Sequence, residues 1–229
     1  MSSLLGIIGG MGTPAGVRFA TYVIDECKAK GAEKDTDFPP FVLYNSPCVA
    51  MDEKGIDQEQ LPVLKFHLIE AVDKLSECGC THILVACNTA HALITELRKQ
   101  FAGTILDIID IACDHVSASC GTVGIISSET TRRSGLYVKP LRARGKNPIA
   151  VSLLEQKVLD AAILEAVSDR QTRATGMAVG GILEALAARG AEEIIVGCTE
   201  LPMVIDWKSA PVRLIDPGRS AVKVALSAL

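Results

Sequence analysis

HILVACNT at residues 82–89 and EIIVGCTE at residues 193–200 share one pattern: an apolar run with Ile and Val at its centre, a small residue, a cysteine, and two polar residues. A short run of this kind is apolar at every position rather than at alternate ones, as in a parallel strand buried on both faces. A second pair, Gly6-Ile7-Ile8 and Gly124-Ile125-Ile126, stands in the same relation. The two pairs are offset by 111 and 118 residues, and near-equal offsets point to two similar halves with the difference absorbed in loops. Chance likeness between buried strands explains the glycine pair taken alone. The shared ending in cysteine and a polar pair carries the argument.

Outward from these anchors, strand-like runs alternate with stretches of helical period, which predicts an α/β fold. Leu4–Ile8 reads as a strand, Gly9–Gly12 as a glycine turn, and Thr13-Pro14 as an N-cap with proline opening the first helix. Phe41–Tyr44 is a second strand and Asn45–Asp57 a polar loop. Leu61, Leu64, Leu68, Val72 and Leu75 then mark one helix face that Gly79 ends. Strand His82–Ala86, helix Ala90–Phe101 and strand Ile105–Ile109 complete the first half. The second half reads as strand Thr122–Ile126, turn Ser127–Thr131, a helix carrying Leu136, Val138 and Leu141, and helices near Glu155–Val167 and Gly176–Arg189. Strands Glu193–Val196 and Val212–Ile215 follow, then a helix opened by Asp216-Pro217.

The chain has 229 residues, with 23 Lys and Arg against 27 Asp and Glu, a net charge of −4 that speaks against a nucleic-acid binder. Its composition, 48% hydrophobic and 22% charged, is that of an ordinary globular protein. No apolar run approaches the ~20 residues of a membrane span, and no basic segment precedes Leu4–Ile8 as in a secretory signal, so a cytoplasmic protein without membrane contact is expected. Eight cysteines without a CxxC are too sparse for a disulfide scaffold and are expected as reduced thiols.

In open parallel sheets, ligands sit beyond the carboxyl ends of the strands. Cys87 and Cys198 both stand there, each expected at a helix start, where backbone N–H groups would make a thiolate easier to form than in the free amino acid. Asn88, Thr89, Thr199 and Glu200 are placed to cap those helices or to bind a ligand. A single buried cysteine is ordinarily a small hydrophobe. Two at matching positions, facing one another across a cleft, suit removal of a proton from one side of a carbon and its return on the other.

At this point the sequence resembles the cofactor-independent aspartate/glutamate racemase family, and within it the aspartate racemase branch. GIIGGMG at residues 6–12, ACNTAH at 86–91, GCTEL at 197–201 and IDP at 215–217 carry the resemblance over nearly the whole chain. It implies two pseudo-symmetric lobes, each a parallel sheet flanked by helices, with the active site in the cleft between them. The expected division is 1–104 plus 212–229 for the N-terminal lobe and 105–211 for the C-terminal lobe, the last helix crossing back to the first. It further implies a homodimer acting on a small amino-acid substrate with no cofactor and no metal, Cys87 and Cys198 as the catalytic pair, and substrate contacts from Met11, Asn45, Asn88, Thr89, Thr199 and Glu200. The family's hydroxyl-rich turn appears as Ser128, Thr131 and Ser134, whose N–H groups would cradle an anion.

The chain departs from the aspartate pattern in two places. Where aspartate racemases carry an Arg for the distal carboxylate, counting from Asn45-Ser46-Pro47 reaches Asp52. Where they carry a Lys, counting from Glu155-Gln156-Lys157 reaches Ser168. With Glu129 in a turn that is usually neutral, the side chain of the substrate is expected to differ from aspartate's. Asp52 or Glu129 would meet a polar or cationic group, unless Lys54, Arg170 or Arg173 restores acid binding.

Other readings compete. Gly10–Ala15 fits a relaxed dinucleotide fingerprint, but Asn45 stands where a ribose-binding acid belongs. His91, four residues beyond Cys87, suggests a Cys–His nucleophile. Maleate isomerases and decarboxylases among the family's relatives keep isomerase or lyase chemistry open, as does a catalytically silent ligand-binding module. Cys78, Cys80 and His82 lack the second ligand pair of a structural zinc site.

Overall fold

The computed structural model describes residues 3–49 and 56–229, so Asp52 and Lys54 lie outside the described residues. The first half runs β1 (Leu5–Gly9), α1 (Thr13–Ala29), β2 (Phe41–Asn45), α2 (Leu61–Glu77), β3 (His82–Val85), α3 (Ile94–Arg98), β4 (Thr104–Ile105) and α4 (Ile108–Asp114). The second runs β5 (Thr122–Ser127), α5 (Glu129–Ser134), α6 (Val138–Ala143), β6 (Asn147–Ala150), α7 (Leu153–Val167), α8 (Arg173–Ala188), β7 (Glu193–Gly197), β8 (Arg213–Ile215) and α9 (Pro217–Ala228).

Each half forms one four-stranded parallel sheet, in the orders β2-β1-β3-β4 and β6-β5-β7-β8. The orders are identical in topology, and so is the register. Gly6 pairs with Ile83 in the first sheet and Gly124 with Ile194 in the second, so the two sequence echoes lie side by side in each lobe. The chain leaves β1 to one side for β2 and returns across it for β3; β5, β6 and β7 repeat the move. The direction of winding therefore reverses between β1 and β3 and again between β5 and β7, which opens a crevice at the carboxyl ends of those strands.

Among the described residues, three apolar clusters hold this frame. One lies between α2 and α3 and an outer sheet face, with Leu64, Leu68, Ile83 and Leu97. Another lies between α7, α8 and the second sheet, with Leu159, Ile163, Leu183 and Ile194. The third is shared: residues from both sheets, Ile7, Leu84, Ile125 and Ile195, pack with Phe19 of α1, Ile109 and Cys113 of α4, and Val222 of α9. Every strand of the central pairs thus has apolar neighbours on both faces. The last helix does cross back, and α9 is tied to α1 by Arg219 Nε on Glu26 Oε1 at 2.6 Å and by the Tyr22 hydroxyl donating to Asp216.

Several expectations are corrected. The strand expected at Ile105–Ile109 ends at Ile105, because Asp107 accepts from the N–H groups of Ile109 (3.0 Å) and Asp110 (3.3 Å) and starts α4. Asp216 does the same for α9, from Gly218 (2.9 Å) and Arg219 (3.2 Å), so LDI at 106–108 and IDP at 215–217 are a third echo. The helix expected at Ala90–Phe101 is a tight 3-10 turn, Thr89–Leu93, followed by α3. The helix expected to carry Leu136, Val138 and Leu141 is α6, which begins only at Val138 and leaves Leu136 in a turn, while α5 (Glu129–Ser134) starts within the turn expected at Ser127–Thr131. Strand β6 contains Pro148, tolerable because it is an edge strand paired only with β5. Gly12, not Thr13, precedes α1, and Pro14 is its second residue. The lobe boundaries at 104/105 and 211/212 cut through pairings: β4 belongs to the first sheet, and β8 to the second, with only α9 returning.

Candidate active site

The two crevices meet. Met11 and Ile56, Cys87-Asn88-Thr89 beyond β3, Ser128 and Thr131 beyond β5, and Gly197-Cys198-Thr199-Glu200 from the end of β7 line one cavity of about 10 Å³, roughly the room one water needs. Wider hollows of about 630 Å³ along α8 and about 770 Å³ beside the C-terminus are lined by neither Cys87 nor Cys198. Cys87 and Cys198 thus line one small chamber built from residues of both lobes.

Polar contacts draw the chamber shut. Thr89 Oγ1 of the first lobe lies 2.8 Å from Thr131 Oγ1 and 3.5 Å from Ser128 Oγ of the second. Ser128 Oγ also donates to Thr131 Oγ1 (3.2 Å) and caps α5 by accepting from the Thr131 N–H (3.4 Å). From the other side Glu200 reaches the glycine turn: a Cβ on Gly12 would stand 3.0 Å from Glu200 Oε1. The turn itself requires glycine at position 10, where φ is +105° and a Cβ would lie 2.3 Å from the Ser46 carbonyl oxygen.

The thiols differ in their surroundings. Cys198 Sγ donates to Glu200 Oε2 at 3.1 Å, and Thr199 Oγ1 donates to the same oxygen at 2.9 Å. Burial, then the neighbouring Glu200 charge, push the Cys198 thiol well above its ordinary value. Burial also drives Cys87 up to about 12, but backbone N–H groups of Ala90 and Thr89 oppose it. The expectation of easily formed thiolates is therefore overturned. The helices after each cysteine are 3-10 turns of five and three residues, Thr89–Leu93 and Leu201–Met203, and a few N–H donors do not offset the loss of water. Neither Asn88 nor Glu200 caps its turn through its side chain. Glu200 is itself raised by burial, against the hydrogen bonds from Cys198 and Thr199.

Other expected residues fall elsewhere. Asn45 ends β2 in an exposed position and donates from Nδ2 to Thr13 Oγ1 at 3.3 Å, outside the cavity lining. Ser134 Oγ turns back to the Thr131 carbonyl (2.8 Å). Glu129 is held by Arg132 through Nε (2.7 Å) and Nη2 (2.9 Å), leaving it committed to its own helix. Ser168 ends α7, where its hydroxyl accepts from Arg170 Nε at 2.9 Å. Arg173 lines the outer hollow along α8.

His91 is buried, and its Nδ1 lies 2.8 Å from the Cys87 carbonyl oxygen. A carbonyl only accepts, so Nδ1 carries the proton, and burial keeps the imidazole below its ordinary value and neutral. The ring braces the Cys87 backbone, and among the described residues its Nε2 has no hydrogen-bond partner, contrary to a Cys–His nucleophile.

Three residues at this site escaped the sequence reading. Ile56 is an apolar residue inside a polar loop, a signal in plain view. Gly197 reads only as part of GCTEL. Tyr137 continues the three-residue spacing of 128, 131 and 134, and its hydroxyl donates to Asn88 Oδ1 across the lobes.

A family model for Asp/Glu/hydantoin racemases matches residues 8–225. The chain belongs to that family. It is an amino-acid racemase, an isomerase, of the Asp/Glu racemase type. The broad-specificity amino-acid racemase RacX of Bacillus subtilis is 28% identical over 225 residues, 98% of this chain and 97% of its own. A glutamate racemase of Desulforudis audaxviator is 30% identical over 193 residues, 80% of this chain and 68% of its own. Among solved structures, an aspartate racemase homologue from Pyrococcus horikoshii superposes with a TM-score of 0.81 at 22% identity, covering 100% of this chain and 99% of that one. Picrophilus torridus aspartate racemase gives 0.81 at 24%, with 99% and 94% covered. These likenesses establish the racemase two-lobe fold.

Proposed function

We propose that the protein inverts the Cα of an amino acid without a cofactor, by a two-base reaction in which Cys87 and Cys198 work from opposite faces. The observation that supports this most is that Cys87 and Cys198 both line one chamber beyond the carboxyl ends of the two sheets. The unequal surroundings suggest the roles. Cys87, beside N–H donors, is the better thiolate; Cys198, donating to Glu200, is the better held thiol. The Cys87 thiolate takes the Cα proton, the electron pair stays on the substrate, and the Cys198 thiol delivers its proton to the other face. The products are a Cys87 thiol, a Cys198 thiolate and the inverted amino acid, and the reverse reaction exchanges the roles. The hydroxyls of Thr89, Ser128, Thr131 and Thr199 and the amide of Asn88 serve the substrate's carboxylate, where negative charge builds as the proton leaves.

The side-chain end is read as different from aspartate's. Met11 and Ile56 give the chamber apolar walls, Glu129 is taken by Arg132, and Ser168 stands where the aspartate pattern has a Lys. Two lines of support agree with a less demanding pocket: these walls, and the likeness to a racemase named for broad specificity. A racemisation assay over the common amino acids tests it. Turnover of several neutral or cationic amino acids ahead of aspartate is expected; aspartate turning over fastest would overturn the altered pocket.

A further inference from the structure

Tyr137 is a large aromatic residue only 2% exposed, carried by the second lobe just before α6, yet its hydroxyl donates to a side chain of the first lobe, Asn88 Oδ1. Asn88 is 3% exposed and follows Cys87 directly. Its other amide atom, Nδ2, has no hydrogen-bond partner among the described residues, while the residue lines the chamber. The amide has two orientations to choose from, and the phenol chooses. If the amide were turned over, the Tyr137 proton would lose its recorded acceptor, and a buried orphan proton is costly.

The ring also touches the other thiol segment. A Cβ at Gly197, the residue before Cys198, would lie 2.6 Å from Tyr137 Cε2. Any larger residue at 197 would therefore drive the ring away from Asn88. One aromatic side chain thus packs beneath the backbone leading to one thiol and bonds the residue beside the other.

We propose that Tyr137 is a positioning residue that holds the Asn88 amide with its NH₂ toward the chamber, making position 88 an obligate donor to the carboxylate of the substrate. Burial raises the Tyr137 hydroxyl well above its ordinary value, and the charge of Asp216 adds to this. The phenol stays protonated and remains a donor at every working pH. The proposal rests on the racemase reading for the identity of the carboxylate, but the amide lock itself is a matter of binding.

The test is a double-mutant cycle of Tyr137→Phe and Asn88→Ala, read by calorimetric binding of the amino-acid panel and, separately, by kcat and KM. Removal of the hydroxyl alone, with the ring kept, is expected to weaken binding and raise KM by about tenfold and also to lower kcat, since the same donor faces the charge that builds on the carboxylate. In the Asn88→Ala background the same change is expected to add nothing. Unchanged binding in Tyr137→Phe, or equal losses in both backgrounds, would overturn the proposal, since a merely structural tyrosine acts whether or not Asn88 is present. Binding without Cα exchange in the wild type would instead overturn the racemase reading, and the cycle would still report on the lock.

Discussion

At Cys87 two influences of opposite sign meet, and burial outweighs the N–H groups of Ala90 and Thr89. A thiol pushed up to about 12 is almost wholly protonated at neutrality, so on the proposed mechanism little of the base is present before substrate binds. The sign follows directly. Because the thiolate fraction grows with pH below that value, kcat/KM is expected to rise by up to about tenfold per unit between roughly pH 7 and 9. A pH–rate profile that is flat or falling over that range would show Cys87 to be already ionised. An incoming ammonium group beside the thiols favours the same ionisation, which fits a charged amino acid better than a neutral acyl substrate. The sequence placed both cysteines correctly beyond their strands; it overstated their acidity because the length of a helix and the depth of burial are tertiary facts.

Among the elements, α4 and α9 show how the two lobes are joined. Each follows the last strand of its sheet, each is started by an aspartate that binds two N–H groups, and the two pack against each other within the shared core. Asp107→Ala is expected to cost about 1 kcal/mol and to lower Tm by roughly 2–4 °C in thermal unfolding, without changing which amino acids are turned over. The strands of the central pairs were legible because buried parallel strands are continuous apolar runs, as in HILV and EIIV. The run Ile105–Ile109 deceived for the same reason: five residues of that kind suit a strand end and a helix start equally, and only the capping by Asp107 decides. Strand β6 was hidden by Pro148, a residue that argues against any but an edge strand.

Over the whole molecule, identical strand orders and register place two winding reversals face to face. The residues between them do not belong to either lobe alone. Thr89 meets Thr131, Asn88 meets Tyr137, and Glu200 meets the Gly12 turn. A chamber of about 10 Å³ is smaller than an amino acid, so substrate binding is expected to widen it, which a structure with a bound amino acid would check. The sequence motifs marked most of these positions; what they left out, Ile56 and Tyr137, left weaker traces in the sequence, and the contact of Tyr137 with Asn88 is seen only when the lobes are brought together.

Cα–deuterium uptake from D₂O, measured for each enantiomer of a turned-over amino acid with Cys87→Ser and Cys198→Ser, tests the opposed-thiol chemistry most directly. Each variant retains one sulfur, on one face. Each is expected to exchange the Cα hydrogen of one enantiomer only, without inversion, and the two variants to select opposite enantiomers. Inversion at the wild-type rate by either variant, or exchange of the same enantiomer by both, would contradict it.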